Sequence, residues 1–520
     1  MSLAKLRPFY AQTVSHLDGE STLVPLSLTH TATFERIILA ALVVATFLLY
    51  LNTLAPSVTW ANSGADSGDL ITAAAVLGIP HPTGYPTYIL LARLFQLLPV
   101  GTLAYRTNLL SAVAMALAAG LVCHLVQRTS NGAAKWGTIG GLVAGFVFAT
   151  APLVWSQAVI AEVYALHILF IVVLLCLMPV RGNVAQVKFD SRRLWLSGLI
   201  FGLGLGNHIT LIWLLPPWLA VMAWSGHRPI FFPARRVLCC VSGIAVGALI
   251  YIYLPLRAAA NPTINWGNAA TWGGFWWLVS AEPYRALAFG LPTPYLANRA
   301  QTLANLILTQ ISWLGVPFAL FGIFIEGLRA PRLLLLTAWM GVTSIVFAAG
   351  YNTFDWFVNL LPTVLALATW LGLGTASVLE RIAESAPRVA AVMAVTFLLL
   401  LIVQAIGHLP EVDASRDHRA EEFARQVLDA APPAAMIFTN GDEDTFPLWY
   451  FHFALNERPD VVIVVKRLLA FDWYRQNLHA QYGNVVLPDD LYGDWKTFVR
   501  EQNARPVCET LPHSENVLVC

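Results

Sequence analysis

The chain has 520 residues, of which 57% are hydrophobic and only 12% are charged. A typical soluble domain has about 25% charged residues, so this composition excludes an ordinary soluble protein and indicates a membrane protein. The formal net charge is +1 and the sequence has no long basic run, so nothing supports binding to nucleic acid.

The N-terminal 33 residues are polar and precede the first long apolar run. They include Lys5, Arg7, Asp18 and Glu20. A polar segment in this position is typical of a leader that stays in the cytoplasm rather than of a cleaved signal peptide. We therefore expect a cytoplasmic leader over residues 1–33 and a transmembrane domain over residues 34–408.

Apolar runs long enough to cross a bilayer recur throughout residues 34–408. The stretch 194–224 is interrupted by "GLGLGNH" and has basic loops on both sides, which requires an even number of crossings. We interpret it as two short spans that meet at Asn207 and His208. The sequence then predicts about eleven transmembrane helices, near 34–55, 107–127, 137–155, 162–180, 194–224 (two), 237–256, 302–325, 332–350, 356–378 and 389–408.

Cations are unevenly distributed between the predicted loops. The five short loops assigned to the inside contain thirteen Arg or Lys residues, whereas the two long outer loops, residues 56–106 and 257–301, contain five. Because short cytoplasmic loops are enriched in Lys and Arg, we expect the N-terminus inside and the C-terminus outside.

The first outer loop contains "DSGDLITAAAVLGIPHPTGYP" at residues 66–86. Asp66 and Asp69 share one face if this segment is helical. The acids either cap a helix, which is their common use, or take part in chemistry. "HPTGYP" supplies His81 and Tyr85 on a backbone constrained by two prolines, and its ordinary role would be to stiffen a loop.

Other polar and ionisable residues stand at the predicted outer ends of the spans, where such groups usually face a cavity. Each has an ordinary alternative, such as an arginine that snorkels to the interface. The inner boundaries carry mostly plain arginines, and this asymmetry favours a site on the outer face. Besides the paired acids and His81, the residues are Glu162, Tyr164, Asn207, His208, Arg257, Glu282, Tyr284 and Asp355.

Residues 409–520 are more polar and predict a small soluble α/β domain outside the membrane. The pattern indicates a strand at 434–440, a helix at 444–456 and a strand at 460–465. Asp442, Glu443 and Asp444 at the start of this helix would bind a cation or an acceptor, or, more ordinarily, cap the helix. Cys508 and Cys520 would pair if the domain lies in an oxidising compartment.

A site at the bilayer surface with carboxylates and cations suits sugar transfer from a lipid phosphate. The phosphate leaving group needs cations and hydrogen-bond donors but no general acid. The acceptor hydroxyl needs a base, and one carboxylate suffices for direct inverting displacement. A transporter or lipid flippase is the competing class, although it would need ionisable groups near mid-span.

Several segments resemble a large bacterial family of multi-spanning proteins formerly of unknown function. This family is related to the eukaryotic endoplasmic-reticulum O-mannosyltransferases of the GT-C glycosyltransferase class. The matching segments are "DSGDLITAAAVLGIPHPTGYP", "RTNLLSA" (106–112), "AEVYALH" (161–167), "GLGNHIT" (204–210), "YLPLRA" (253–258), "NWG" (265–267) and "FTNGDEDTFPLWY" (438–450).

The resemblance implies a GT-C-like transmembrane catalytic domain whose acidic first outer loop holds the base. It also implies a polyprenyl-phosphate sugar, with mannose as the expected sugar, and a place in the inner (cytoplasmic) membrane. The sequence departs from the family at Asp69, where the family has Glu, and at Pro82-Thr83, where it has two prolines. The shorter side chain of Asp69 makes Asp66 the better candidate for the base.

From these observations we assign expected roles. Asp66 is the base and Asp69 orients it or the acceptor, while His81, His208 and Arg257 bind the donor phosphate. The sequence predicts no metal-ligand set, and it leaves the need for a divalent metal open. The acceptor is a Ser or Thr of an exported protein or, alternatively, an envelope glycolipid or polysaccharide. The residues expected to shape the sugar or acceptor pocket are Tyr85, Glu162, Tyr164, Asn207, Trp266, Glu282, Tyr284 and Asp355.

Overall fold

A computed structural model describes residues 26–130, 134–179, 190–223, 234–483, 485–488 and 494–520. Most of the expected leader lies outside these residues, and its last part belongs to the first helix, which begins at Leu26. The helices of the N-terminal half are α1 Leu26–Asn52, α2 Ser67–Val76, α3 Pro86–Gln96, α4 Leu103–Thr129, α5 Ala134–Thr150, α6 Pro152–Ala158, α7 Val163–Leu177, α8 Ser191–Leu205, α9 Leu215–Ala223 and α10 Ala234–Ala248.

The second half of the chain adds the remaining helices and the β-strands. The helices are α11 Tyr253–Ala259, α12 Trp272–Val279, α13 Leu296–Arg329, α14 Pro331–Gly350, α15 Leu361–Ser385, α16 Pro387–Val412, α17 Arg419–Ala430, α18 Asp442–Trp449, α19 Asp472–Tyr482 and α20 Trp495–Asn503. The strands are β1 Met436–Thr439, β2 Val462–Val465, β3 Val507–Thr510 and β4 Leu518–Val519.

The protein is a multi-pass membrane protein, but the predicted number of eleven spans is not confirmed. Seven of the described helices are long and apolar enough to cross a bilayer, and α5 and α6, which meet at 65°, would make an eighth if they form one bent span. The predicted span 162–180 and the two halves of 194–224 are helical, but each helix is too short to cross alone. The seven are Thr33–Asn52, Leu103–Thr129, Ala234–Ala259, Thr293–Arg329, Pro331–Gly350, Trp356–Ser385 and Pro387–Val412.

Glycines allow the central helices to pack with their backbones in contact. A Cβ atom on Gly140 of α5 would lie 2.4 Å from the carbonyl oxygen of Gly372 of α15, a distance that no side chain tolerates. Small residues at such crossings let membrane helices approach closely. The packed helices α4, α5, α7 and α15 form the rigid base beneath the first outer loop.

The C-terminal domain contains the predicted β-α-β unit. Its sheet has the strand order β2-β1-β3-β4, in which β1 runs parallel to β2 and β3, and β4 runs antiparallel to β3. Cys508 and Cys520 form a disulfide that ties β3 to the chain terminus. The predicted strands and helix are thus confirmed, and the preceding helix α16 continues to Val412, slightly beyond the expected boundary at 409.

The C-terminal domain is docked on the first outer loop. The carboxylate of Asp417 accepts hydrogen bonds from the backbone N–H groups of Trp60 and Ala61, at 3.0 and 2.7 Å, and from the Thr59 hydroxyl. Burial alone would raise the pKa of Asp417, but these bonds and one from Arg419 outweigh it and hold the pKa at about 2. The two segments also share one hydrophobic core.

Candidate active site

Helix α2 places both acids of the first outer loop. Asp66 is the residue immediately before α2, but its side chain makes no capping hydrogen bond and remains only partly exposed. Asp69, in the first turn, is fully buried. The capping role that is the common use of such acids is therefore not how α2 uses them.

Asp69 instead binds His81. One carboxylate oxygen, Oδ2, accepts the backbone N–H of His81 at 2.8 Å and lies 2.7 Å from its ring Nδ1. The other oxygen, Oδ1, has no hydrogen-bond partner among the described residues. A carboxylate on Nδ1 leaves Nε2 of the ring as the nitrogen directed elsewhere.

The turn after His81 is fixed by its own backbone and side chains. The N–H of Gly84 donates to the His81 carbonyl at 2.9 Å, and the Tyr85 hydroxyl donates to the Pro82 carbonyl at 2.8 Å. Gly84 has a φ of +82°, and a Cβ atom there would lie 2.9 Å from Leu278. Glycine is the residue that fits both constraints.

The electrostatics of Asp66 and His81 suit acid–base chemistry. Burial and the negative charges of Asp442, Asp355 and Asp69 raise the pKa of Asp66 to about 7, although His81 opposes the rise. Burial would lower the pKa of His81, but its hydrogen bond to Asp69 and the surrounding acids raise it to about 9. Near neutral pH, a protonated His81 thus lies beside a carboxyl group that readily gains or loses a proton.

An aromatic cluster extends from this pair towards the membrane domain. The ring of Tyr85 lies 5.1 Å from His81 and stacks at 6.3 Å on His208. Tyr164 lies 5.5 Å from His208, and its hydroxyl donates to Asp355 at 3.3 Å. Of these side chains, Tyr164 and His208 line an open cavity of about 460 Å³ that continues between α7, α14 and α15.

Asn207 and Glu162, two further predicted residues, lie next to this cluster at the start of α7. Asn207 is buried and donates to the carbonyl of Val163 at 3.1 Å, which ties the turn before His208 to the start of α7. Glu162 is buried just before α7, and its charge acts on both Asp66 and His81. The structure therefore brings both residues to the cluster.

Arg257 lies behind the acidic helix rather than in the aromatic cluster. Its guanidinium donates to the carbonyls of Leu77 and Val76 at the end of α2, at 2.6 and 3.4 Å. Ile79 pairs with the backbone on both sides of Asn265, which brings the ring of Trp266 to 6.3 Å from His81. In this arrangement Arg257 holds the segment that leads to His81.

The second outer loop contributes unequally. Tyr284 lies close enough to the acids for the charge of Asp66 to help raise its pKa, although burial is the larger cause. Glu282, by contrast, is exposed and pairs with Arg285 at 2.7 Å. The structure does not bring Glu282 to the cluster.

Sequence reasoning gave Asp442 no place in the site. It begins α18, and its charge acts on Asp66 and His81. Its neighbour Asp444 does cap the helix, because its carboxylate accepts the N–H groups of Asn440 and Gly441, both at 2.8 Å. The motif was visible in the sequence, but no local signal shows that α18 packs against α2.

No group of three or more His, Cys, Asp or Glu side chains is arranged to hold a metal ion in the part of the chain that the structure describes. The site contains an acidic group with His81 and an aromatic cluster, of which Tyr164 and His208 line the cavity. The acids are Asp66, Asp69, Glu162, Asp355 and Asp442.

Two domain families match the sequence. The family described as "Protein O-mannosyl-transferase TMEM260 N-terminal domain" matches residues 66–230, and "TMEM260-associated domain 2" matches residues 420–501. The first match begins at Asp66, and the second includes α18. The two domain families therefore meet where α2 packs on α18.

Curated relatives carry the same name. The protein O-mannosyl-transferase TMEM260 of Mus musculus is 28% identical over 458 residues, which cover 82% of this chain and 63% of the relative. Its counterpart from Dictyostelium discoideum is 23% identical, over 86% of this chain and 59% of the relative. The chain thus spans about six tenths of the length of these relatives. Both relatives are eukaryotic, so the bacterial source expected from the sequence stays a prediction.

Solved structures establish the fold. ArnT from Cupriavidus metallidurans in the apo state has a TM-score of 0.55 at 13% identity, covering 92% of this chain and 93% of ArnT. Its complex with undecaprenyl phosphate scores 0.51 at 13% identity, over 84% and 91%. AglB from Archaeoglobus fulgidus, in complex with an inhibitory peptide and a dolichol-phosphate, scores 0.52 at 10% identity, over 92% and 70%.

These proteins are GT-C glycosyltransferases, so the predicted GT-C-like fold with a small C-terminal domain is confirmed. The predicted resemblance is confirmed as well: residues 66–230 and 420–501 match two TMEM260 domain families, and the chain is similar in sequence to protein O-mannosyl-transferases of that name.

Proposed function

We propose that this protein is a membrane glycosyltransferase that moves mannose from a polyprenyl-phosphate donor to a Ser or Thr hydroxyl of an exported protein. The names of its relatives support the mannosyl transfer to protein. The lipid phosphates bound to ArnT and AglB support the class of donor. The observation that carries the mechanism is Asp66, a partly exposed carboxyl group without a hydrogen bond to any described residue and with a pKa of about 7.

In the proposed reaction, Asp66 accepts the proton of the acceptor hydroxyl while the oxygen of that hydroxyl attacks the anomeric carbon. The bond between that carbon and the phosphate oxygen breaks, and the phosphate leaves with the bonding electrons. A single displacement of this kind inverts the configuration at the anomeric carbon. Asp69 does not touch the reacting atoms but fixes His81 by two hydrogen bonds.

Positive charge and N–H donors stabilise the phosphate leaving group. Protonated His81 supplies a cation beside Asp66, and His208 supplies a ring nitrogen on the rim of the cavity. Preorganised groups of this kind act most strongly where water is excluded. Arg257 acts at a distance by holding the end of α2, since its guanidinium donates to the backbone carbonyls of Leu77 and Val76.

The acceptor side is proposed to lie towards the C-terminal domain. A second cavity of about 340 Å³ opens between residues 263–266 and α18 and α19, and Trp266, Trp449 and Trp473 line it. Asn477 donates to the carbonyl of Asn265 at 2.6 Å, which joins this wall to the segment that holds His81. Aromatic walls with a few amide groups are suited to bind an uncharged chain segment.

The proposed topology puts the site outside the cytoplasm. Short inner loops rich in Arg and Lys support a cytoplasmic N-terminus and an external C-terminal domain in the inner membrane. The disulfide between Cys508 and Cys520 supports an oxidising compartment for this domain. In this orientation the partners are the bilayer, the lipid-linked sugar and exported acceptors.

The test uses the purified full-length chain in liposomes with radiolabelled polyprenyl-phosphate mannose. Acceptor peptides containing Ser or Thr and total envelope lipids are offered together, and mass spectrometry locates the label. We expect mannose on peptide hydroxyls, and no transfer from polyprenyl-phosphate glucose. Label on lipid alone would move the acceptor to an envelope glycolipid, and no transfer to any acceptor would refute the proposed activity.

A further inference from the structure

A chain of hydrogen bonds connects His208, Thr210 and His167. Nδ1 of His208 is 2.7 Å from the hydroxyl oxygen of Thr210, and that oxygen is 3.3 Å from Nε2 of His167. The hydroxyl thus joins the two imidazole rings, whose centroids are 5.0 Å apart. Nε2 of His208 makes no hydrogen bond to any residue that the structure describes, and His208 lines the cavity.

A threonine hydroxyl has one hydrogen to donate, and the two imidazole nitrogens are the acceptors within its reach among the described residues. When the hydroxyl donates to one ring it accepts from the other, so the two histidines play opposite roles towards it. In one arrangement, His167 donates from Nε2 to Thr210 and Thr210 donates to Nδ1 of His208. His208 is then neutral and carries its proton on Nε2. In the other arrangement, His208 donates from Nδ1, Thr210 donates to Nε2 of His167, and Nε2 of His208 is a bare acceptor.

The surroundings of His167 discriminate between these two arrangements. His167 is buried in α7, and its Nδ1 has no partner among the described residues. The second arrangement would put a proton on that nitrogen and bury an N–H group without an acceptor. Orphaned buried N–H groups are rarer in native proteins than acceptors with an unused lone pair, so the first arrangement is favoured.

We propose that His167 and Thr210 are positioning residues that hold His208 neutral with its proton on Nε2. His208 then presents a single N–H donor to the cavity between Tyr85 and Tyr164. The use of this donor rests on the proposed function, in which an oxygen of the lipid-linked sugar phosphate accepts the hydrogen bond. The tautomer itself follows from the contacts and does not depend on the substrate.

The first test is nitrogen NMR of the full-length protein labelled with 15N-histidine, because protonated and bare ring nitrogens have well-separated shifts. The signals of His208 are identified by their loss in His208→Gln. We expect Nε2 protonated and Nδ1 bare in the native chain and in Thr210→Ser, which keeps the hydroxyl. Thr210→Val, and Thr210→Ala in case valine disturbs the fold, should populate both tautomers.

The matched control is Thr343→Val. Thr343 lines the same cavity, but its hydroxyl donates within α14, to the carbonyl of Trp339 at 2.9 Å. This variant removes the same atoms from the same cavity and should leave the His208 signals unchanged. A proton on Nδ1 in the native chain, or an unchanged tautomer in Thr210→Val and Thr210→Ala, would overturn the proposal.

The second test links the tautomer to the donor. Because apparent affinity falls with the fraction of competent molecules, we expect Thr210→Val to raise the KM for the lipid-linked sugar by about two- to fivefold. Thr210→Ser should restore the native KM. An unchanged KM together with the scrambled tautomer would refute the role in donor binding. If the native chain transfers no sugar, the proposed function fails, while the NMR result still decides the tautomer.

Discussion

Helices α2 and α18 both begin with closely spaced acids, and they use these acids in opposite ways. At α18 the carboxylate of Asp444 accepts two backbone N–H groups and the Thr510 hydroxyl, so it caps its own helix. At α2 the carboxylate of Asp66 makes no capping bond, and Asp69 turns away to His81. An acid that leaves its helix uncapped is available for other chemistry, and this contrast separates the candidate base from an ordinary cap.

The largest effect is expected for Asp66→Asn, which tests whether the uncapped acid of α2 is the catalytic base. We expect transfer to fall by about 10²- to 10⁴-fold, the usual contribution of a general base. Thermal unfolding should hardly change, because the Asp66 side chain makes no capping hydrogen bond. The measurement is kcat with lipid-linked mannose, with Asp66→Glu as the variant that keeps a base. Full activity in Asp66→Asn would remove Asp66 from the mechanism.

The next largest effect is expected for Asp69→Ala, which is compared with Asp444→Ala. Both remove a buried acceptor, and each should lower the free energy of unfolding by about 1–3 kcal/mol. Only Asp69→Ala should also lower kcat in the molecules that remain folded, because His81 loses the partner that fixes its ring. Unfolding curves and kcat per folded molecule are measured side by side. Equal losses of kcat in both variants would show that the two acids have the same role.

A third variant tests the contact between the two acidic helices. A Cβ atom on Gly68 of α2 would lie 2.7 Å from the backbone of Phe446 in α18. Gly68→Ala should therefore push the helices apart, cost about 1–3 kcal/mol of stability and lower transfer severalfold. The control is Gly273→Ala, where no atom lies within 4 Å of the added methyl group. Similar behaviour of the two variants would contradict the close docking.

The smallest expected effect is a change in pH dependence. If Asp66 is the base, kcat/KM should rise as pH increases through about 7, and it should fall above about 9 as His81 loses its proton. Asp442→Asn removes a negative charge that raises the pKa of Asp66, so the acidic limb should move to lower pH. Glu443→Gln is the control, because Glu443 pairs with His513 at the surface. A limb that stays in place in Asp442→Asn would argue against the interaction.

The sequence was a good guide to what local patterns determine. Alternation and helical periodicity predicted the β-α-β unit of the C-terminal domain, and apolar runs located the long membrane helices. The count of eleven is not confirmed, because the helices at 162–180 and in the two halves of 194–224 are short. Hydropathy reports how apolar a segment is and not how long its helix is. Whether these short helices lie across or along the bilayer depends on packing.

The site was predicted less completely, for a related reason. Most site residues were chosen for standing in a predicted outer loop or at the outer end of a span, and most of them do meet, as Tyr85, Tyr164 and His208 show. Glu282 satisfied the same rule but pairs with Arg285 in solvent. Asp442 was noted only as a cation ligand, an acceptor ligand or a helix cap, because its interaction with Asp66 depends on the docking of two distant segments, which no local pattern encodes.

The docking of Asp417 on Thr59, Trp60 and Ala61 has a consequence for biosynthesis. Asp417 follows Trp60 by 357 residues, so the ribosome releases the first outer loop long before its partner exists. Until synthesis has reached Asp417, at the start of the last fifth of the polypeptide, the segment ahead of Asp66 lacks the carboxylate that accepts its backbone N–H groups. A nascent or truncated chain would therefore be inserted in the membrane yet remain inert, and catalytic competence would arrive only with completion of the chain.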